Sequence, residues 1–284
     1  MSHYLMVFVT LVRSLIYIRG GKVIGGEKMT EVRKSAARVY GVPIAWVVIY
    51  GALCGATSLL PLFPYVGGGG YLPLCVAFEA IAPLIMGPAG IVAAVIGGII
   101  GMFIAPAAYP MGLLDVLLTG ILPAVFVALT VNNHRLWPLM ALSYISMGLW
   151  LEVFPFYIPG PAAGFATPPQ PLYAAFSSIY WVPWLIIMLS PLGIRYIPRW
   201  ARETGTRRYI GVFLAILCGM MLWIIPWWLP YWYMFSYTPA LAIACFAAYS
   251  WWVPSLSIII AIISVPILEG LSRSGLPRVP GAIW

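Results

Sequence analysis

The chain has 284 residues, of which 63% are hydrophobic and only 8% charged, and its mean hydropathy is +0.98. A soluble domain carries roughly 25% charged residues, so this composition excludes a water-soluble globule and points to an integral membrane protein. The net charge of +8 does not point to a nucleic-acid partner, because the basic residues flank apolar segments instead of forming one patch.

The apolar runs are helix-length and lack the alternation of an outer-membrane barrel. Residues 4–18 are apolar but short and are interrupted by Arg13, which suits an interfacial helix. Gly25-Gly26-Glu27-Lys28 back-translates to a purine-rich tract before Met29, so a translation start at Met29, with 1–28 untranslated, is a further expectation. A hydrocarbon core of ~30 Å takes about 20 helical residues. On that measure eight transmembrane helices are expected, at about 43–60, 73–86, 89–105, 112–130, 137–157, 172–192, 209–229 and 239–267. A glycine-rich loop at 61–72 follows the first, and Gly87-Pro88 hinges the second and third. A Pro/Gly-rich loop at 158–171 precedes the sixth.

Sidedness follows from the basic residues. Of the fifteen, seven lie in 1–42, Arg135 lies in the polar turn after the fourth helix, five lie in the linker 193–208, and Arg273 and Arg278 lie in the tail. With eight spans and both termini cytoplasmic, every basic residue falls inside, as the positive-inside rule requires. The expected location is the plasma membrane, as a multi-pass protein in contact with the lipid bilayer.

Cys54, Cys75, Cys218 and Cys245 all fall in apolar segments without a CxxC pair and read as small buried residues. His3 and His134 are the only histidines, so no zinc site, no paired haem ligands and no His-based hydrolase are expected. The expectation is a protein that is not an enzyme and has no metal or cofactor.

Acidic residues inside spans are the informative ones, since a carboxylate at mid-bilayer costs about 2.5–3.5 kcal/mol on insertion scales. There are three: Glu79, Asp115 and Glu152. Asp115 stands near the start of its helix, where an acid suits the helix dipole, and Thr119 continues its face by one turn. Glu152 shares a face with Tyr144 and Gly148, which reads as a pocket wall. Glu79 lies between Cys75 and Pro83 on one face, either bonding a backbone carbonyl freed by Pro83 or serving a ligand or gate. Aromatics gather at the outer helix ends, including Trp150, Phe154, Trp223, Trp227, Trp228 and Tyr231. They read as an interfacial belt, with Trp150 and Phe154 as the best candidates for a cage around a flat or cationic ligand.

In this order the chain presents Ala52 and Ala56 on the first helix, the loop PYVGGGGYLPL at 64–74, the Gly87-Pro88 hinge and a fourth helix opening at Asp115. Over residues 43–192 this resembles the substrate-binding S component of energy-coupling-factor (ECF) vitamin transporters, a six-helix bundle with both ends cytoplasmic. The resemblance implies that Ala52 and Ala56 dock on a transmembrane coupling subunit served by ATPases. It implies that Gly67, Gly68, Gly69, Gly70 and Tyr71 form a lid, and that Asp115, Glu152, Ser177, Ser178 and Trp181 line an outward-facing pocket. Residues 193–208, a basic linker, and 209–284, two further helices and a tail, have no counterpart in that form. The expected function is capture of a small polar or cationic vitamin-like substrate for ATP-driven import. The alternatives are a structural subunit of a larger membrane complex and a proton-coupled transporter using Glu79 and Glu152.

Overall fold

The computed structural model describes residues 37–64, 70–132, 171–234 and 238–284. The expected fifth helix, with Tyr144, Trp150, Glu152 and Phe154, and Gly67, Gly68 and Gly69 of the glycine loop lie outside the described residues.

The chain is mostly helical. A two-residue hairpin, β1 (Arg38–Val39) and β2 (Val42–Pro43), leads into α1 (Ile44–Thr57). A second antiparallel pair, β3 (Pro61–Pro64) and β4 (Tyr71–Pro73), occupies the described part of the stretch expected to be a glycine-rich loop. Then come α2 (Cys75–Met86), α3 (Pro88–Ile104) and α4 (Leu113–Asn132), the last containing a π-helical turn at Val116–Ile121. Later in the chain follow α5 (Pro171–Leu189), the short α6 (Ile197–Trp200), α7 (Thr206–Met234) and α8 (Pro239–Arg273). Among the described residues three stretches are long and apolar enough to cross a membrane: Leu113–Asn132, Thr206–Trp228 and Ile243–Arg273. Shorter apolar helices are α1, α2 and α3.

The surface is inverted relative to a water-soluble protein. On α8, Ile258, Ile259, Ile262, Ile263 and Ile267 face outward, whereas Ser257 and Ser264 are fully buried. Each serine hydroxyl donates back to its own helix, to Val253 O and Ala261 O. Such a surface is stable where the surroundings are apolar and the protein interior must satisfy the polar groups.

Helix pairing is set by missing side chains. On α1, Gly51 and Gly55 face α3; a Cβ at Gly55 would come 2.5 Å from Ile100 Cγ2, and one at Gly97 would come 2.6 Å from Cys54 Cβ. Backbones approach that closely only where Gly replaces larger residues. Ala52 and Ala56 sit on the opposite, exposed face of α1.

The C-terminal tail closes one end of the molecule. Pro88 has no N–H, so the Leu84 carbonyl loses its helical donor, and the chain turns at Gly87 with φ +54°. The tail fills that place: Ile283 N–H donates to Leu84 O (3.0 Å) and the Trp284 indole N–H to Ile85 O (2.6 Å). A Cβ on Gly87 would lie 2.2 Å from Pro280 O, so glycine is required there for contact as well as for conformation.

Replacing Gly55 by Leu is expected to destabilise the detergent-solubilised protein by about 1–3 kcal/mol, the usual cost of overpacking. Ala56→Leu, one residue on and facing outward, is expected to leave the melting temperature unchanged. Equal effects of the two substitutions would contradict the assignment of α1's packing face.

Candidate functional site

Of the predicted pocket residues that are described, Asp115 and Thr119 fall in one cluster and Glu79 in a second, with no residue in common. The first lies in the seam between α4 and α7. The Leu122 N–H bonds Leu117 O across the π-turn, and Pro123 has no N–H to offer, so the Leu118 carbonyl has no donor within its own helix. The Trp223 indole N–H supplies it from α7. One turn further along α7, Trp227 Nε1 donates to Thr119 Oγ1 (3.1 Å); a turn later, Tyr231 Oη donates to Asp115 Oδ1 (2.7 Å). The other Asp115 oxygen accepts from the Met111 N–H. Toward the far end, the Thr130 hydroxyl sits 2.9 Å from both Val127 O and Ala215 O, and Arg202 caps α4 through Val131 O and Asn132 Oδ1.

Asp115 and Thr119 are therefore brought together, as their spacing predicts, but as structural partners of α7. Trp223, Trp227, Trp228 and Tyr231 are buried, so the interfacial-belt reading fails for them. Their spacing of four residues (223, 227, 231) is the signal for a buried seam. Aromatic contacts extend it to α8, with the Trp228 and Phe246 rings 4.4 Å apart edge to face.

The second cluster surrounds Glu79 on α2. Glu79 is fully buried (0% exposed); neither carboxyl oxygen makes a hydrogen bond of normal geometry among the described residues, and the weak-donor Cys75 thiol one turn earlier is its closest polar neighbour. The expected bond to a carbonyl freed by Pro83 is not made. Its electrostatic neighbours are Tyr50 and Cys54 on α1, Cys75 one turn earlier on α2, and Tyr109 after α3. Tyr50 is occupied by Phe78 O (2.7 Å).

A polar path runs from Cys75, one turn before Glu79, to the β3–β4 hairpin. Tyr71 Oη donates to Ser58 O (3.0 Å). The Ser58 hydroxyl lies 3.3 Å from Tyr109 Oη, which lies 3.4 Å from the Cys75 thiol. Gly101 makes room for the path, since a Cβ there would stand 2.4 Å from Ser58 Oγ and 2.6 Å from Tyr109 Oη. The hairpin is held on its other side by Phe63, stacked on Trp252 of α8 at 4.5 Å and 6°.

Of the expected lid residues, Gly70 and Tyr71 are described, and Tyr71 is fastened to the end of α1. Ser177, Ser178 and Trp181 lie on α5; Ser178 is half-buried, and the side chains of the other two lie outside the described residues. Among the described residues no group of three or more His, Cys, Asp or Glu side chains is arranged to hold a metal ion. Cys75, Ser58 and Tyr109 in the path were not predicted as site residues. Their sequence signal is slight: Cys75 is four residues before Glu79, whereas Ser58 and Tyr109 come from other elements.

The Asp115–Tyr231 bond is expected to show a coupling energy of ~0.6 to about 1.7 kcal/mol, the range of buried polar pairs in membrane helices. A double-mutant cycle of Asp115→Ala and Tyr231→Phe, followed by unfolding in detergent, measures it. Strict additivity would remove the bond from the account. No protein-family model, no curated protein and no solved structure matches the chain.

Proposed function

We propose that the chain is a membrane-embedded capture protein for a small cationic or strongly hydrogen-bonding molecule, bound at Glu79 beneath the β3–β4 hairpin. The observation that carries this reading is the buried Glu79 carboxylate without a hydrogen bond of normal geometry among the described residues, at the inner end of the Tyr71–Ser58–Tyr109–Cys75 path. A buried carboxyl left without partners costs stability, and such groups concentrate where a protein receives a ligand. A cation supplies the countercharge that a buried carboxylate needs, and Tyr109 and the hairpin close over it.

The order of elements supports reading this capture as the first step of import in the manner of an ECF S component, with the hairpin as lid. The exposed face of α1 that carries Ala52 and Ala56 then meets a coupling subunit, and a separate ATPase supplies energy. Two features support placing the Arg-bearing end in the cytoplasm. Arg38, Arg202, Arg208, Arg273 and Arg278 line two adjoining cavities that share Val279 and Trp284, and they lie at the end of α2 opposite the hairpin. Glu79 also favours a second reading, proton-coupled transport, in which the same carboxyl carries the proton. Uptake that survives ATP depletion but collapses with the proton gradient distinguishes it.

A panel of organic cations, including thiamine-like heterocycles, with organic anions as controls, tests the binding claim by thermal shift on the purified protein. At about 100 times its Kd a true ligand adds about 2.7 kcal/mol, a shift of several degrees. At least one cation is expected to produce it, and Glu79→Gln is expected to abolish it while retaining the unliganded melting temperature. No shift with any cation, or an undiminished shift in Glu79→Gln, would overturn the proposal.

A further inference from the structure

At the end of α2 opposite the hairpin lies a cavity of about 580 Å³, walled by the linker before α7, the last turn of α8 and the tail. Four arginines line it, Arg202, Arg208, Arg273 and Arg278, against one acidic side chain, Glu269. Glu269 lies 3.7 Å from Arg273 and also faces the Arg208 charge, so one carboxylate is shared among four guanidinium groups. Glu203 does not compensate the cavity, because it is taken by Arg199 (2.9 Å) and Arg207 (3.5 Å), neither of which lines it. Arg202 spends its donors on neutral oxygens, Val131 O, Pro198 O and Asn132 Oδ1, so its charge is not paired there.

Arg208 is the decisive member. Its side chain is only 3% exposed, one Nη donates to Ile283 O (2.9 Å), and its buried Nε has no hydrogen-bond partner among the described residues. A buried guanidinium with a spare donor needs an acceptor. The 29-residue α7 begins beside it at Thr206, presenting the positive end of its dipole. Gly205, just before, has open space where a side chain would stand. Surplus guanidinium charge, a spare buried donor, a helix start and room for a tetrahedral anion are the features that recognise phosphate.

We propose that this cavity is an anion site that binds a phosphate group, either in the headgroup of an anionic phospholipid or on a soluble phosphorylated compound. Basic cavities between helices at a membrane surface bind acidic headgroups in this manner. The bound phosphate bridges the linker, α8 and the tail, and through Arg208 and Ile283 it reinforces the tail's hold on the α2–α3 hinge. The site is independent of the Glu79 reading and stands or falls separately.

The 284-residue chain in neutral detergent is tested in two arms. In the first, native mass spectrometry compares retention of phosphatidylglycerol and phosphatidylcholine. In the second, inorganic pyrophosphate is titrated in a thermal-shift assay. The Arg273→Gln/Arg278→Gln double variant changes two exposed side chains, and Arg199→Gln, outside the cavity, is the control. Retention of phosphatidylglycerol at least tenfold above phosphatidylcholine, reduced tenfold in the double variant and unchanged in the control, supports a lipid headgroup. Stabilisation by pyrophosphate with the same dependence on the variants supports a soluble phosphate. Neither effect in the wild-type protein, or an equal loss in the control, overturns the proposal, and an unliganded melting temperature equal to wild type shows that the double variant is folded.

Discussion

The carbonyl of Leu118 has no donor in its own helix, and the structure is organised around satisfying groups like it. Where a chain is apolar throughout and its outward faces are isoleucine and leucine, each inward polar group must find its partner within the protein. Along α4 those partners come from α7: Trp223 for Leu118 O, Trp227 for Thr119, Tyr231 for Asp115, and the Ala215 carbonyl for Thr130. Arg202 completes the seam at the end of α4. The bonds are individually modest, but together they fix the register of two antiparallel helices whose other contacts are non-directional. The helix that follows the basic linker, α7, is thus bound tightly to α4.

Against that background Glu79 stands out, as does the Arg208 Nε in the basic cavity. A fold that satisfies the Leu118 carbonyl with an indole from another helix, and the Leu84 carbonyl with the tail, leaves a fully buried carboxylate without a hydrogen bond of normal geometry to any described residue. The neighbours of that carboxyl are polar and connected, running by way of Tyr109 and Ser58 to the hairpin. The two ends of α2 therefore differ in kind. One is locked by Ile283 and Trp284 against the hinge, and the other carries the proposed capture site under a hairpin pinned by Tyr71 and Phe63.

Helix positions were legible in the sequence because long apolar runs bounded by Pro and Gly leave few alternatives. The expected segments at 43–60, 73–86, 89–105, 112–130, 172–192, 209–229 and 239–267 coincide with α1 to α5, α7 and α8 within a few residues at most ends. Which face of α1 packs was not legible. Gly51 and Gly55 have the same four-residue spacing as Ala52 and Ala56, and only the position of Ile96 and Ile100 on α3 decides between them. The π-turn was hidden as well, since Pro123 reads as an ordinary proline until its missing N–H is traced to Leu118. The seam of Trp223, Trp227 and Tyr231 is visible as a spacing, but the spacing does not separate a buried seam from an interfacial belt, because aromatics near helix ends suit either environment. Pairings such as Trp284 with Ile85 join residues too far apart in the chain for any local pattern to announce.

The most direct measurement of the central claim is an experimental structure of the protein purified with the cation that stabilises it most. The account predicts density for that cation in contact with the Glu79 carboxylate and within reach of Tyr109, with the β3–β4 hairpin above it. A Glu79 side chain bonded to another residue of the chain, with the cation bound elsewhere, would contradict it.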